Sequence, residues 1–469
     1  DGSEDWHIPG KTIGSYGDNA ALRRASMNQH RWLGAVINFN HDINEKWAFN
    51  VGTDLRTYYG QHFRLVDNLW GLDGYWDDNY NGAGFQDQYP GGQVYTQEHT
   101  ASPYMFWTER NKEQYDRLDY FNTERISYMG AFGQLEYKTE KISAFVQGAL
   151  STQSYQRFDY MTYSDPAEQV SKKLNFPGYN IKAGANYNIN AKHNVYVNAG
   201  YYSRQPFFDD LYLNYSNEVN EDVGNEGVLG LEAGYGYRSQ YLDIDLNAYY
   251  TSWTNRQIRQ TGDFDGDGER DDVALFENVA QTHMGVELEF EAKPIRVLSI
   301  RGFASLGSWE YAGDAKSRIW DEDHNPIGEG ILYLDGVKVG DAAQTSFGLL
   351  GDWKIVKGLS FDLDYRFYSS LYARINPESF EEQDHQGSLK LPSFGLLDAG
   401  LSYYLPFKNR QSLNFRFNAN NLLNKQFISQ SDTNIHPEDG EAQWNGVDMR
   451  NRVYFGNGFT WNLSIAYKF

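Results

Sequence analysis

The sequence predicts an all-β fold, a transmembrane antiparallel β-barrel with about fifteen strands visible in the chain. The last eleven residues carry the clearest signal. Phe459, Trp461, Leu463, Ile465, Tyr467 and Phe469 alternate with Thr460, Asn462, Ser464, Ala466 and Lys468. A period of two belongs to a strand with one apolar and one polar face. Aromatics at both ends of the apolar face suit the two interfaces of a bilayer. The second signal is repetition: alternating segments come in pairs joined by short polar turns, and long loops separate the pairs. The third is that no apolar run approaches the roughly 18 residues a spanning helix needs. A closed barrel is then the way left for this chain to cross a membrane.

The pairs run in order along the chain. Residues 33–40 and 46–60 flank a turn at 41–45, and 126–138 and 142–160 flank 139–141. Residues 179–189 and 195–202 flank 190–194, and 229–237 and 241–259 flank 238–240. Further on, 284–292 and 298–311 flank 293–297, 346–355 and 359–373 flank 356–358, and 394–406 and 412–423 flank 407–411. Alternation is cleanest where Leu242, Ile244, Leu246 and Ala248 oppose Asp243, Asp245 and Asn247, and where Leu359, Phe361, Leu363 and Tyr365 oppose Ser360, Asp362 and Asp364. Between the pairs lie long loops at 61–125, 261–283, 312–345, 374–393 and 424–458. Short turns on one side and long loops on the other are the periplasmic and extracellular ends of an outer-membrane barrel. Residues 1–32, with Gly10, Gly14 and Gly17, read as one more extracellular loop, which leaves 33–469 as the barrel portion.

Composition narrows the function classes. The chain has 469 residues, 16% of them aromatic, and a net charge of -22. That charge speaks against nucleic acid, whose affinity is carried by clustered Lys and Arg. There are no cysteines, which excludes a disulfide scaffold, thiolate metal sites and cysteine catalysis. The mean hydropathy of -0.67 is low, as a barrel allows, because only alternate strand residues face lipid. No G-x-S-x-G, P-loop or dinucleotide fingerprint appears, and the dispersed histidines form no metal signature, so the chain does not read as an enzyme.

Several stretches resemble the TonB-dependent outer-membrane receptors, of the Bacteroidota type. Asn418-Ala-Asn-Asn-Leu-Leu-Asn-Lys-Gln-Phe427 resembles their penultimate-strand signature, and the terminal strand follows after one long loop. Tyr202-Ser-Arg-Gln-Pro206 with Leu211-Tyr212 resembles the strand-end element before an external loop. Asn220-Glu-Asp-Val-Gly-Asn-Glu226 with Gly230-Leu-Glu-Ala-Gly-Tyr235 resembles the element N-P-x-L-x-P-E…E-x-G-Y, without its two prolines. Asn278-Val-Ala280 with Gly285-Val-Glu-Leu-Glu289 resembles the element of the following strand. The resemblance implies a 22-stranded barrel with an N-terminal plug. Counting back from Phe469 makes the strand at Leu33 the eighth, so the plug domain and about seven strands are expected outside this chain, whether cleaved, on another chain or absent from the structure. It also implies an active importer of a scarce solute (iron–siderophore, cobalamin, glycan or peptide), driven by TonB acting through the plug. Outer-membrane lipid and a surface lipoprotein are the further partners it suggests. The alternative is a barrel that serves as a scaffold in a surface complex without transport.

Three sets of residues stand out as candidate sites. Asp263, Asp265 and Asp267 at positions one, three and five, with Gly268 at six and Asp271 at nine, match the first half of a Ca²⁺ loop. Position twelve is Ala274 rather than the bidentate Glu, so a bound Ca²⁺ would stiffen the loop rather than act in chemistry. Trp70, Tyr75, Trp76, Tyr80, Tyr104 and Trp107 crowd the 61–125 loop and suit a ligand or partner surface; the other reading is that they pack the loop onto its neighbours. Arg204, Arg256, Arg259 and Arg366, with Arg374, are candidates to face the lumen and meet an anionic ligand, or else to pair with lumenal Asp and Glu.

Overall fold

The computed structural model describes residues 12–15, 22–77, 92–99, 117–212, 216–264, 266, 272–321 and 325–469. Fifteen long strands form its wall: β1 (Arg23–Asp42), β2 (Trp47–Asn68), β3 (Leu118–Lys138), β4 (Ile142–Asp159), β5 (Leu174–Asn188), β6 (His193–Arg204), β7 (Glu226–Arg238), β8 (Leu242–Gly262), β9 (Asp272–Ile295), β10 (Leu298–Tyr311), β11 (Thr345–Val356), β12 (Leu359–Ser369), β13 (Phe394–Pro406), β14 (Ser412–Asn420) and β15 (Thr460–Lys468). Each pairs antiparallel with its neighbour in the chain. Among the described residues β1 pairs only with β2, and β15 only with β14.

The register sorts side chains onto two unlike faces. Phe415 lies opposite Ile465 and Phe417 opposite Leu463; Leu401 lies opposite Phe417 and Phe361. Between these rows Arg416 stands opposite Ser464 and Ser402, and Asp364 opposite Asp398. The apolar face, with Leu363, Trp461, Leu463 and Ile465, is exposed. Water would not tolerate so wide an apolar surface; hydrocarbon requires it. Rings lie over glycines of the adjoining strand on both faces, Tyr196 over Gly234, Tyr249 over Gly285, Phe303 over Gly348 and Tyr365 over Gly395, each in the space a Cβ would take.

Polar side chains hold the tight turns. Asn44 Oδ1 accepts from the amides of Lys46 (2.9 Å) and Trp47 (3.1 Å), and Asn190 Oδ1 from those of Lys192 (2.9 Å) and His193 (3.2 Å). The hydroxyl oxygens of Thr139 and Ser239 accept likewise from Ile142 and Leu242, both at 3.0 Å. Asn, Ser and Thr reverse a chain this way because a short side chain can stand in for a backbone acceptor.

At the other end the strands run further than their sequence suggests. Arg23–Asp42 is one strand, so residues 23–32 belong to the sheet and not to the expected 1–32 loop. Their charges do not stop the strand because they are paired across it: Arg23 with Asp67, and Arg24 with Asp119 at 3.1 Å. The 61–125 loop shortens in the same way to the interval between β2 and β3, and β9 begins at Asp272 inside the expected 261–283 loop. The 312–345 loop contains the hairpin Ala315–Trp320/Pro326–Leu332, which joins β9 and brings the sheet to seventeen strands among the described residues. In the 374–393 and 424–458 loops lie Lys390–Leu391, paired with Leu371–Tyr372, and the pair Ile428–Ser431/Val453–Phe455.

These extensions and loops form a crown with its own apolar cores. One holds Ala274, Phe276, Tyr311, Leu332, Leu334 and Phe380. Another holds Leu371, Leu389, Phe394, Ile428 and Val447. A third holds Val66, Leu69, Tyr75, Tyr95 and Leu118. Where wall gives way to crown, β8 and β9 each carry one extra residue. The pair Trp253 and Gln281 is followed by Arg256 and Val279, then by Ile258 and Phe276. Asn255 and Asn278 sit there at φ 56°, a left-handed conformation that Asn tolerates better than most residues.

A candidate ligand pocket in the crown

The end of β8 brings Arg259, Gln260 and Thr261 to the crown, where they meet Arg374 and the hairpin residues Gln430, Asp432, Arg452 and Tyr454. Together they line a cavity of about 440 Å³. The hairpin sets its geometry: Tyr454 donates its hydroxyl to Asp432 (3.0 Å), and Arg452 Nε lies 3.6 Å from the same carboxylate. Arg374 is fixed by its amide on Ser431 O (2.9 Å) and by Nε on Asp341 (2.8 Å). Arg259 Nη2 donates to the carbonyls of Asp209 (2.5 Å) and Tyr212 (3.4 Å). Among the described residues three guanidiniums therefore line the cavity with one carboxylate, in a chain where acids outnumber bases by 63 to 41. Each guanidinium offers five donors in a planar fork suited to oxyanions. The segment Phe208–Asp210 that Arg259 meets is anchored in turn, with Tyr155 donating its hydroxyl to Pro206 O at 2.6 Å. Burial pushes the Asp210 carboxyl up to about 6, although Arg259 draws it down.

The other arginines are committed elsewhere. Arg204 pairs with Glu226 at 2.8 Å and lies over the Phe207 ring. Arg256 donates to Gln281 Oε1 at 2.6 Å and lies 3.5 Å from the same Glu226. Arg366 bridges Asp398 and Asp364. It belongs to a belt of ion pairs on the polar face, with Arg238 forked on Asp245 (2.7 Å to each oxygen) and Arg301 on Asp352 (2.7 Å). Of the five arginines picked from sequence, the pocket takes Arg259 and Arg374; it adds Arg452 with Asp432 and Tyr454. The last three were missed because the hairpin that aligns them joins residues about twenty apart in a loop without a motif. Two short runs of period two, Gln430/Asp432 and Arg452/Tyr454, are the signal available in the sequence.

The aromatic set divides. Trp70 is 67% exposed, Tyr75 is packed in the core with Val66, Leu69 and Tyr95, and Trp76 is half-buried in the short strand Gly74–Asp77. Burial takes Tyr75 out of a ligand's reach, because its ring is the loop's own packing. Tyr80, Tyr104 and Trp107 lie outside the described residues. In the acidic run Asp263 accepts from the Gly266 amide at 2.9 Å; Asp265, Asp267 and Asp271 lie outside the described residues. Among the described residues no group of three metal-ligating side chains converges.

The sequence profile described as TonB dependent receptor-like, beta-barrel, matches residues 3–422. The chain belongs to the TonB-dependent receptor family. Its barrel lies in the outer membrane of a bacterium, and the family is one of receptors and transporters that bind TonB and small ligands. A comparison with curated proteins finds no match. Among solved structures this receptor barrel is similar to the ferric-catecholate import receptor Fiu of E. coli K12, with 13% identity, TM-score 0.58, and coverage of 94% of this chain and 55% of that one. It is similar as well to the copper transporter OprC (13%, TM-score 0.62, 95% and 57%) and to the ferric citrate transporter FecA (13%, TM-score 0.58, 95% and 56%). These likenesses show the fold. The chain spans little more than half the length of each of these three relatives.

Proposed function

We propose that this receptor barrel takes part in TonB-energised uptake and captures an anionic solute in the pocket of Arg259, Arg374 and Arg452. The observation that carries the reading is the lining of that cavity, three guanidiniums to one carboxylate among the described residues. Its volume falls in the range of roughly 300–1,000 Å³ common for small-ligand sites. Planar forks on several sides favour a carboxylate- or catecholate-bearing chelate over a neutral glycan. Ferric-catecholate and ferric citrate, named for two of the structural relatives, are chelates with such oxyanion groups. A surface lipoprotein, the partner the sequence suggests, would approach from the same side. Nothing in the reading requires catalysis.

The test is uptake and binding by an Arg374→Ala/Arg452→Ala variant in cells that display it at wild-type level. Losing two charge-assisted contacts, each worth roughly 1.5–3 kcal/mol, should weaken binding of anionic chelates by about a hundredfold or more. Neutral solutes of equal size should bind as before. Unchanged binding of a panel of ferric carboxylate and catecholate chelates would sink the reading.

A further inference from the structure

We propose that the strand Pro326–Leu332 is a docking edge for an extended segment of another polypeptide, one that carries a basic residue with an aromatic close by. The strand is the outer member of the crown hairpin. It pairs with Ala315–Trp320, which pairs with Val273–Glu277 of β9. Among the described residues nothing pairs with its other side. A sheet edge presents a row of backbone donors and acceptors, and proteins usually guard it with lysine, with proline or by covering it. Here Pro326 stands at one end, and from Ile327 to Leu332 the only charge is Glu329. Ile327 and Ile331 are exposed.

The edge is held firmly. Leu332 and Leu334 are fully buried in the crown core, Ile319 nearly so, and Asp314 accepts from the Leu334 amide at 2.9 Å. An edge set on a packed core is a template for strand addition rather than a fraying end.

Three local features define the incoming strand. Arg318 lies opposite Glu329, but its guanidinium is engaged by Glu277 and by Asn220 Oδ1 at 2.8 Å. Glu329 has no ion pair among the described residues, so a basic residue suits the position facing it. Gly328 and Gly330 leave open space, the nearest atoms to an added Cβ being Ile319 Cδ1 at 3.7 Å and Ser317 Oγ at 3.9 Å. Elsewhere in the same sheet an adjoining strand lays an aromatic ring over such glycines, at Gly234, Gly285, Gly348 and Gly395. A neighbour for this edge has room there for a ring of its own. A second copy of the chain is a poor occupant, because antiparallel pairing about the centre of the strand sets Glu329 against itself, and like charges directly opposite destabilise a sheet.

The edge also has a defined relation to the ligand pocket. Arg259 lies opposite Leu275, Leu275 opposite Arg318, and Arg318 opposite Glu329. This single row crosses four strands, so about 14 Å separates the pocket arginine's backbone from the edge. A partner seated there stands beside the pocket without covering it. The inference holds whether or not the pocket takes an anion.

The test uses the full-length protein in detergent micelles and a fluorescein-labelled peptide of nine residues. The peptide alternates threonine with valine and has a central lysine and a tyrosine two positions away. A second peptide replaces the lysine with glutamate, and a third is scrambled. The lysine peptide should bind about five- to tenfold more tightly than the glutamate peptide, the span expected when an attractive cross-strand pair becomes a repulsive one. Glu329→Lys should reverse that order, while its heat-modifiable electrophoretic migration shows the barrel intact. Equal binding of both peptides by both proteins, or binding no stronger than that of the scrambled peptide, would overturn the proposal. A dimer seen by sedimentation and abolished by Ile331→Asp would assign the edge to a second copy and overturn it as well.

Discussion

The wall and the crown obey one alternating pattern in two different solvents. In the wall, Leu363, Trp461, Leu463 and Ile465 stay exposed on one face while ion pairs such as Arg301–Asp352 line the other. In the crown the exposure inverts, and the buried apolar clusters gather at the strand ends and loops on that side. The wall thus borrows its apolar environment from lipid, whereas the crown builds one of its own. Their stabilities should respond to different insults.

The largest effect should come from the crown core. Phe380→Ala empties a fully buried site among Phe276, Tyr311, Leu332 and Ile375, at a cost of about 3–5 kcal/mol. Limited trypsin digestion should cut the crown while the wall keeps its heat-modifiable migration; loss of both together would mean that they are one cooperative unit. Next comes the lipid face. Leu363→Lys, mid-strand in β12, should cost about 2–4 kcal/mol on folding into vesicles and leave crown proteolysis unchanged.

A third expectation concerns pH. The Asp210 carboxyl stands at about 6 through burial, above its ordinary 3.8. Between those values the folded segment holds a proton that the opened one releases. Docking of Phe208–Asp210 is therefore strongest below about pH 4 and weakens as pH rises through 6. Hydrogen exchange at residues 207–212, corrected for intrinsic rate, should show more opening at pH 7 than at pH 5, and Asp210→Asn should flatten the difference. The smallest effect belongs to the wall's ion pairs. Arg301 and Asp352 are both about half exposed, so Arg301→Ala should shift stability by less than about 1 kcal/mol. A larger loss would show that the belt binds the wall together.

Legibility in the sequence follows the same division. Wall segments such as residues 242–250 and Leu359–Ser369 announce themselves because one face is lipid and the other polar, which imposes a strict period. Crown strands lack that contrast. Val273-Ala-Leu-Phe276 is apolar without alternation because both its faces are covered, and Arg23–Asp42 begins with charges that look like loop until Asp67 and Asp119 are seen across from them. The pocket was half legible. Arg259 and Arg374 were visible as arginines at strand ends, but Arg452 and Asp432 meet through a hairpin whose closure no local spacing specifies.

The extra residues in β8 and β9 give the molecule a kind of gearbox. One added residue sends every later side chain of a strand to the opposite face. Because both strands take theirs at the same height, at Asn255 and Asn278, they change face together and their pairing resumes above. A loop lengthened or shortened beyond that level leaves the rhythm below it untouched. The surface that meets the environment can then be rebuilt over generations while no wall residue is turned out of the lipid.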